Sequence, residues 1–219
     1  MKSSWEETVR RSRYHFDSTR MDPRWDTVIG LGYIDPDLWR DDLTDIIKNA
    51  QPATWETRGY REKDAAIPKP DLEAEENDLL AIGADPNMII SNIGWELPRS
   101  LQAVADNFAL ENSMNRLHVQ WPGQLWTRHI DKLDKFNPDS PKEVMRIMIQ
   151  LTNGQPGHFW EFGNYHWRGW RAGDVVTFDW ANVPHCTANA GHLPRVTLQL
   201  TGKITPATER YLGLIKNLG

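Results

Sequence analysis

The 219-residue chain has a single cysteine, Cys186. One thiol cannot close an intrachain disulfide, so the sequence carries no mark of an oxidising compartment, and a reducing cytoplasm suits it. Long apolar runs are also missing: no stretch approaches the roughly 20 residues of a membrane span. The opening "MKSSWEETVRRSRYHF" lacks the apolar region of about 7–15 residues that marks a secretory signal. Nor is there an excess of positive charge. Lys and Arg number 25 against 30 Asp and Glu, giving a net charge of −5 and a pI near 5.8, and the basic residues are scattered. That balance argues against a broad phosphate-binding surface, so neither nucleic acid nor a membrane is expected as a partner. Internal repeats and low-complexity segments are absent.

What is present is enough chain for one domain with a sizeable core and eleven tryptophans. These include Trp126, Trp160, Trp167, Trp170 and Trp180, which suit either an aromatic β core or a wall against a ligand. Residues 1–113 are mixed. "DPDLWRDDLTDIIKNAQ" places Leu38, Leu43, Ile46 and Ile47 at near-helical spacing behind an acidic start. "LPRSLQAVADNFALEN" spaces Leu101, Val104, Ala105, Phe108 and Leu110 along one helix face. Between them, "KPDLEAEENDLLAIGADPN" reads as a surface loop with at most a short helix.

After Asn112 the texture changes. "NRLHVQWPG", "QLWTRHID", "EVMRIMIQLTNG", "GHFWEFG", "YHWRGW", "GDVVTFDW", "HCTANAG" and "PRVTLQLTGKI" are short aliphatic and aromatic pieces between Gly, Pro, Asn and Asp. Eight strand-like pieces at this spacing over residues 114–203 predict a sandwich or barrel. Residues 204–219 then form a closing helix, with Thr205 as cap and Pro206 at the first helical position. Alternation puts Arg195, Thr197 and Gln199 on one strand face, Arg146, Met148 and Gln150 on another, and Thr127, His129 and Asp131 on a third. If these polar faces look inward, the barrel holds a wet cavity.

Two imidazoles and one carboxylate on one face of a metal, with other positions open, make the facial triad of non-haem iron oxygenases. His129-x-Asp131 supplies two such donors at a spacing of two, and His185 can supply the third from a downstream strand. A His-x-Asp pair alone is common by chance. Arg195 and Thr197, following His185, add a guanidinium and a hydroxyl able to hold one carboxylate.

The order His129-x-Asp131, His185, Arg195-x-Thr197, laid over eight strand pieces, resembles the Fe(II)/2-oxoglutarate-dependent dioxygenases of the double-stranded β-helix, or jelly-roll and cupin-like, fold. The resemblance implies iron on His129, Asp131 and His185, and the distal carboxylate of 2-oxoglutarate on Arg195 and Thr197. It further implies hydroxylation of a C–H bond by O2, with release of succinate and CO2. Within that superfamily, "WRGWRAGDVVTFDWANVPHCTANAGHLPRVTLQL" looks like the aspartyl/asparaginyl β-hydroxylase branch, and bacterial free-proline hydroxylases are similar. Some aspartyl hydroxylases lack the carboxylate ligand that Asp131 provides here. A halogenase replaces that carboxylate with a small residue, so Asp131 favours hydroxylation. The strand "MRIMIQL" matches a family strand with arginine and histidine two apart, but carries Arg146 and then Met148. In the resembling branch that arginine binds a substrate carboxylate, which would make the substrate a carboxylate-bearing amino acid, free or in a peptide.

His118, His158, His166 and His192 form no ordered pattern with a downstream Arg-x-Thr and read as surface or hydrogen-bonded core residues; His15 lies outside the strands. Cys186, beside His185, would point to the opposite face and serve packing. Two other functions fit the same residues. One is a metal-dependent cupin that does not use 2-oxoglutarate, and the other is a non-catalytic β-barrel binding module with a structural polar interior.

Overall fold

The computed structural model describes residue 16 and residues 27–55, 77, 80, 81 and 83–218. His15 and most of the acidic segment 69–82 lie outside the described residues. The eight strand-like pieces form eight strands: β4 (Glu111–Gln120), β5 (Leu125–His129), β6 (Val144–Gln150), β7 (His158–Phe162), β8 (Tyr165–Trp167), β9 (Asp174–Thr177), β10 (His185–Asn189) and β11 (Arg195–Lys203). Three more precede them: β1 (Ile29–Tyr33), β2 (Gln51–Ala53) and β3 (Ser91–Gly94). Residues 1–113, which the sequence predicts as mixed helix and loop, therefore also supply strands. They extend the larger sheet at both edges.

All pairings are antiparallel. A seven-stranded sheet runs β1-β9-β6-β11-β4-β3-β2 and a four-stranded sheet runs β5-β10-β7-β8. From β4 onward the chain passes to the opposite sheet after nearly every strand, the β7–β8 hairpin excepted. This winding makes the fold a double-stranded β-helix. Among the described residues, no helix is long and apolar enough to cross a membrane.

The two faces of the large sheet differ, and that difference positions the site. Leu117, Val119, Ile147, Ile149, Val196 and Leu198 lie on its outer face and are buried under α1 (Leu43–Asn49), α2 (Arg99–Asn107) and α3 (Pro206–Ile215). Helix α2 contributes Leu101 and Val104, with Phe108 just beyond its end. Each such side chain stabilises the fold by about 1.5–3 kcal/mol. Helix α3 begins at Thr205, whose hydroxyl accepts from the Thr208 N–H at 3.2 Å while the Thr205 N–H donates to Thr208 Oγ1 at 3.0 Å. With hydrophobic burial assigned to the outer face, the alternate residues Arg116, His118 and Gln120 of β4, Arg146, Met148 and Gln150 of β6, and Arg195, Thr197, Gln199 and Thr201 of β11 share the inner face. The sheets thus enclose a polar interior.

Candidate active site

His129 and His185 are direct partners across the β5–β10 ladder, and their rings are 4.3 Å apart between centroids. Pairing is irregular there: His185 to Thr187 on β10 opposes His129 to Trp126 on β5, so β5 carries an extra residue. Such a bulge changes the phase of a strand. Strict alternation groups Thr127 with His129, whereas the bulge lets Trp126 and His129 both contact the interior, their rings 5.7 Å apart. Asp131 lies beyond the end of β5 and not on it. Its carboxylate nevertheless converges on the two imidazoles, and one donor atom from each of His129, Asp131 and His185 lies within 4.8 Å of the others.

The three side chains could hold a metal ion. The Asp131 oxygens are 3.8 Å from His129 Nε2 and 3.7 Å from His185 Nε2, too long for hydrogen bonds. Each Nδ1 faces a backbone carbonyl, that of Thr127 at 2.7 Å for His129 and that of Val183 at 3.3 Å for His185. An N–H at Nδ1 leaves the Nε2 lone pair for a metal, the outer hydrogen bond fixing tautomer and ring orientation. Burial holds His185 below the usual histidine range, against the pull of the Asp131 charge, which favours the neutral ligand form. Rings of Trp55, at 5.2 Å from His129, and Phe178, at 4.6 Å from His185, wall the donors.

Arg146 is brought to the same point. Its Nη1 donates to Asp131 Oδ2 at 2.8 Å and its Nε to Thr201 Oγ1 at 3.2 Å, and the arginine is only 4% exposed. Burial pushes the Asp131 carboxyl up, but Arg146, with His185, His129 and Arg116 behind it, outweighs that and holds it at about 2. Because the folded pKa is depressed, the carboxylate's contribution to stability is complete above the unfolded value of ~3.9 and lost as pH falls through about 2. The difference in unfolding free energy between metal-free wild type and Asp131→Asn, read from urea denaturation, is therefore expected to hold between pH 7 and 5, at roughly 2 kcal/mol, and to shrink toward pH 2. A pH-independent difference would refute the coupling.

Arg195 and Thr197 lie deeper in the interior. Arg195 is 4% exposed, and its Nε and Nη1 have no hydrogen-bond partner among the described residues. Its guanidinium carbon sits 4.5 Å from the centre of the Trp160 ring, and burial alone pulls its pKa down to about 9. Thr197 Oγ1 is 3.2 Å from Gln150 Oε1, its partner across the ladder. The three candidate donors and Arg195 are joined through β10. His185 belongs to the triad, and Thr187, two residues or ~6.6 Å along the strand, contacts Gln120, which lies opposite Arg195.

Arg116, Gln120 and Gln199 are interior residues that sequence reading did not assign to the site, although the period of two in "MNRLHVQ" marks the first two. Arg116 donates to Gln199 Oε1 from Nε at 3.1 Å and Nη2 at 2.6 Å. His118 Nε2 meets the same oxygen at 3.0 Å, and burial first, then Arg116, drives His118 well below the usual histidine range. His118 is thus a neutral, hydrogen-bonded core residue. Cys186 faces outward toward Glu161 at 3.5 Å, and burial pushes its thiol up to about 11.

No protein-family model and no curated protein matches the chain. Solved structures do. A prolyl-4-hydroxylase from Pseudomonas putida superposes with a TM-score of 0.51 at 16% identity, covering 82% of this chain and 92% of that one. A Cupin 2 conserved barrel domain protein from Salinispora arenicola (TM-score 0.33, 14% identity) covers 57% of this chain and 84% of its own. A predicted oxalate decarboxylase from Thermotoga maritima (0.34, 14%) covers 52% and 81%. The first likeness shows a shared fold.

Proposed function

We propose that the chain is an Fe(II)- and 2-oxoglutarate-dependent oxygenase that hydroxylates a C–H bond of a carboxylate-bearing amino acid, free or within a peptide or protein. Succinate and CO2 are the co-products. The observation that carries this reading is the buried Arg195 guanidinium, whose Nε and Nη1 have no hydrogen-bond partner among the described residues, in the same interior as the His129, Asp131 and His185 donors. A buried cation without a counter-charge is costly and is expected where a ligand brings the anion. A metal ion alone is itself a cation and worsens the imbalance, since Asp131 already faces Arg146. A dicarboxylate corrects it, one end at the metal and the other at Arg195.

The residues fit both groups. His129, Asp131 and His185 would hold iron, which when bound supplies the oxygen activation. Arg195 holds the distal carboxylate against the Trp160 face, and Thr197 lies beside it. Trp55, Trp126 and Phe178 crowd the two imidazoles and keep bulk water from the reacting centre. Arg146 has two roles in this account. Its Nη1 and Nε steady Asp131 and Thr201, and its remaining Nη2 is the contact for a substrate carboxylate.

The test is mass spectrometry of an amino-acid and peptide panel after incubation with Fe(II), 2-oxoglutarate and air. A carboxylate-bearing member is expected to gain one oxygen, and its carboxamide analogue is not. Equal turnover of acid and amide would overturn the substrate class.

A further inference from the structure

We infer that Gln150 supplies the hydrogen bond that accompanies Arg195 at the distal carboxylate of 2-oxoglutarate, a role the sequence suggests for Thr197 alone. The inference rests on the function proposed above. Gln150 is fully buried, at 0% exposure, on the inner face of β6. Its Oε1 lies 3.2 Å from Thr197 Oγ1, while its Nε2 has no partner among the described residues. With the amide oriented this way, the Thr197 hydroxyl spends its proton on Gln150, and the donor offered to a ligand is the Gln150 N–H. With the amide turned over, Gln150 donates to Thr197, whose O–H is then released toward the ligand. In either state the pair acts as a unit that Gln150 sets.

The surroundings have a surplus of donors. Among the described residues, Arg195 Nε and Nη1, Gln150 Nε2 and Trp160 Nε1 are buried without hydrogen-bond partners, against one such side-chain carbonyl, that of Gln120. A carboxylate, which only accepts, matches that surplus; a carboxamide does not. The backbone holds Gln150 firmly. Its carbonyl accepts from the Gly173 N–H at 2.7 Å, and Gly173 takes φ +97°, where a Cβ would lie 2.3 Å from the Ile34 carbonyl oxygen.

The experiment is calorimetric titration of the Fe(II)-loaded protein under argon with 2-oxoglutarate and with 2-oxoglutaramate, its distal amide. Wild type is expected to prefer the acid by at least ~10-fold, and Gln150→Leu to bind it about 10- to 100-fold more weakly, the worth of a hydrogen bond to a charged group. Gln150→Glu replaces the donor with an acceptor and is expected to invert the preference, binding the amide better than the acid. That inversion is a signature a merely structural residue does not give, and it decides the matter should Gln150→Leu fail to fold. If wild type binds the acid, loses it in Arg195→Met, and keeps it with unchanged preference in both Gln150 variants, the role of Gln150 falls alone. If wild type binds neither ligand, the proposed function falls and takes this inference with it.

Discussion

Replacing Arg195 with methionine is expected to stabilise the ligand-free protein while removing its affinity for 2-oxoglutarate. The side chain is buried, its Nε and Nη1 are unpartnered among the described residues, and burial alone depresses its pKa to about 9. Even a buried ion pair can be exchanged for apolar chains of similar volume with a gain of up to about 1–4 kcal/mol, and a lone buried charge has no partner's attraction to lose. The Trp160 contact offsets part of this, since a cation over a ring contributes about 0.5–2 kcal/mol. The bound state behaves oppositely. Loss of one partner of a buried, hydrogen-bonded charge pair costs about 3–5 kcal/mol, or roughly 10²- to 4 × 10³-fold in Kd. Thermal unfolding with and without 2-oxoglutarate reads both effects. Wild type rises with ligand by mass action, whereas Arg195→Met starts higher and does not respond. A variant that is both less stable and still ligand-responsive would mean that Arg195 serves the fold and not a ligand.

The second large effect is at the metal. His185→Ala and His129→Ala are each expected to weaken Fe(II) binding by more than the ~10–100-fold that loss of an outer-shell hydrogen bond costs, because a donor atom itself is removed. The fold should survive, since a metal held by three protein donors would keep coordination positions open, unlike one in a closed four-ligand structural site. His185 packs against Phe178 and Phe162, so its removal also costs some packing energy, about 1–3 kcal/mol. Circular dichroism and equilibrium dialysis separate the two. Retained secondary structure with lost metal binding is expected. Unfolding of both variants, together with melting of wild type by a chelator, would identify a structural metal.

Strands β4–β11 are legible in the sequence because each is a short run rich in aliphatic and aromatic residues, closed by Gly, Pro, Asn or Asp. The first three strands are not. β1 reads IGLGY, with two glycines, and β2 reads QPA, with Pro52 on the free edge of the sheet. Glycine and proline argue locally against a strand, and only pairing with β9 and β3 overrides them.

At the site, the ordered spacing from His129 to Thr197 reveals which residues matter, but not how they are partnered. Alternation predicts that His129 and Asp131 share a strand face; a bulge in β5 and the end of that strand produce the convergence instead. Arg146 reads in the sequence as a cavity-facing contact for a substrate carboxylate, and only the fold brings Asp131, just past the end of β5, to 2.8 Å from it. Gln150 is legible as a residue facing the cavity, but the contact of its amide with Thr197 is a cross-strand fact that depends on register.

The measurement that bears most directly on iron and 2-oxoglutarate sharing one interior is succinate release. The protein is reconstituted anaerobically with Fe(II) and 2-oxoglutarate and then exposed to air. Succinate is expected to form only when metal, 2-oxoglutarate and oxygen are all present, and to be lost in His185→Ala and in Arg195→Met. Succinate that forms without added metal, or at an undiminished rate in Arg195→Met, would contradict the account.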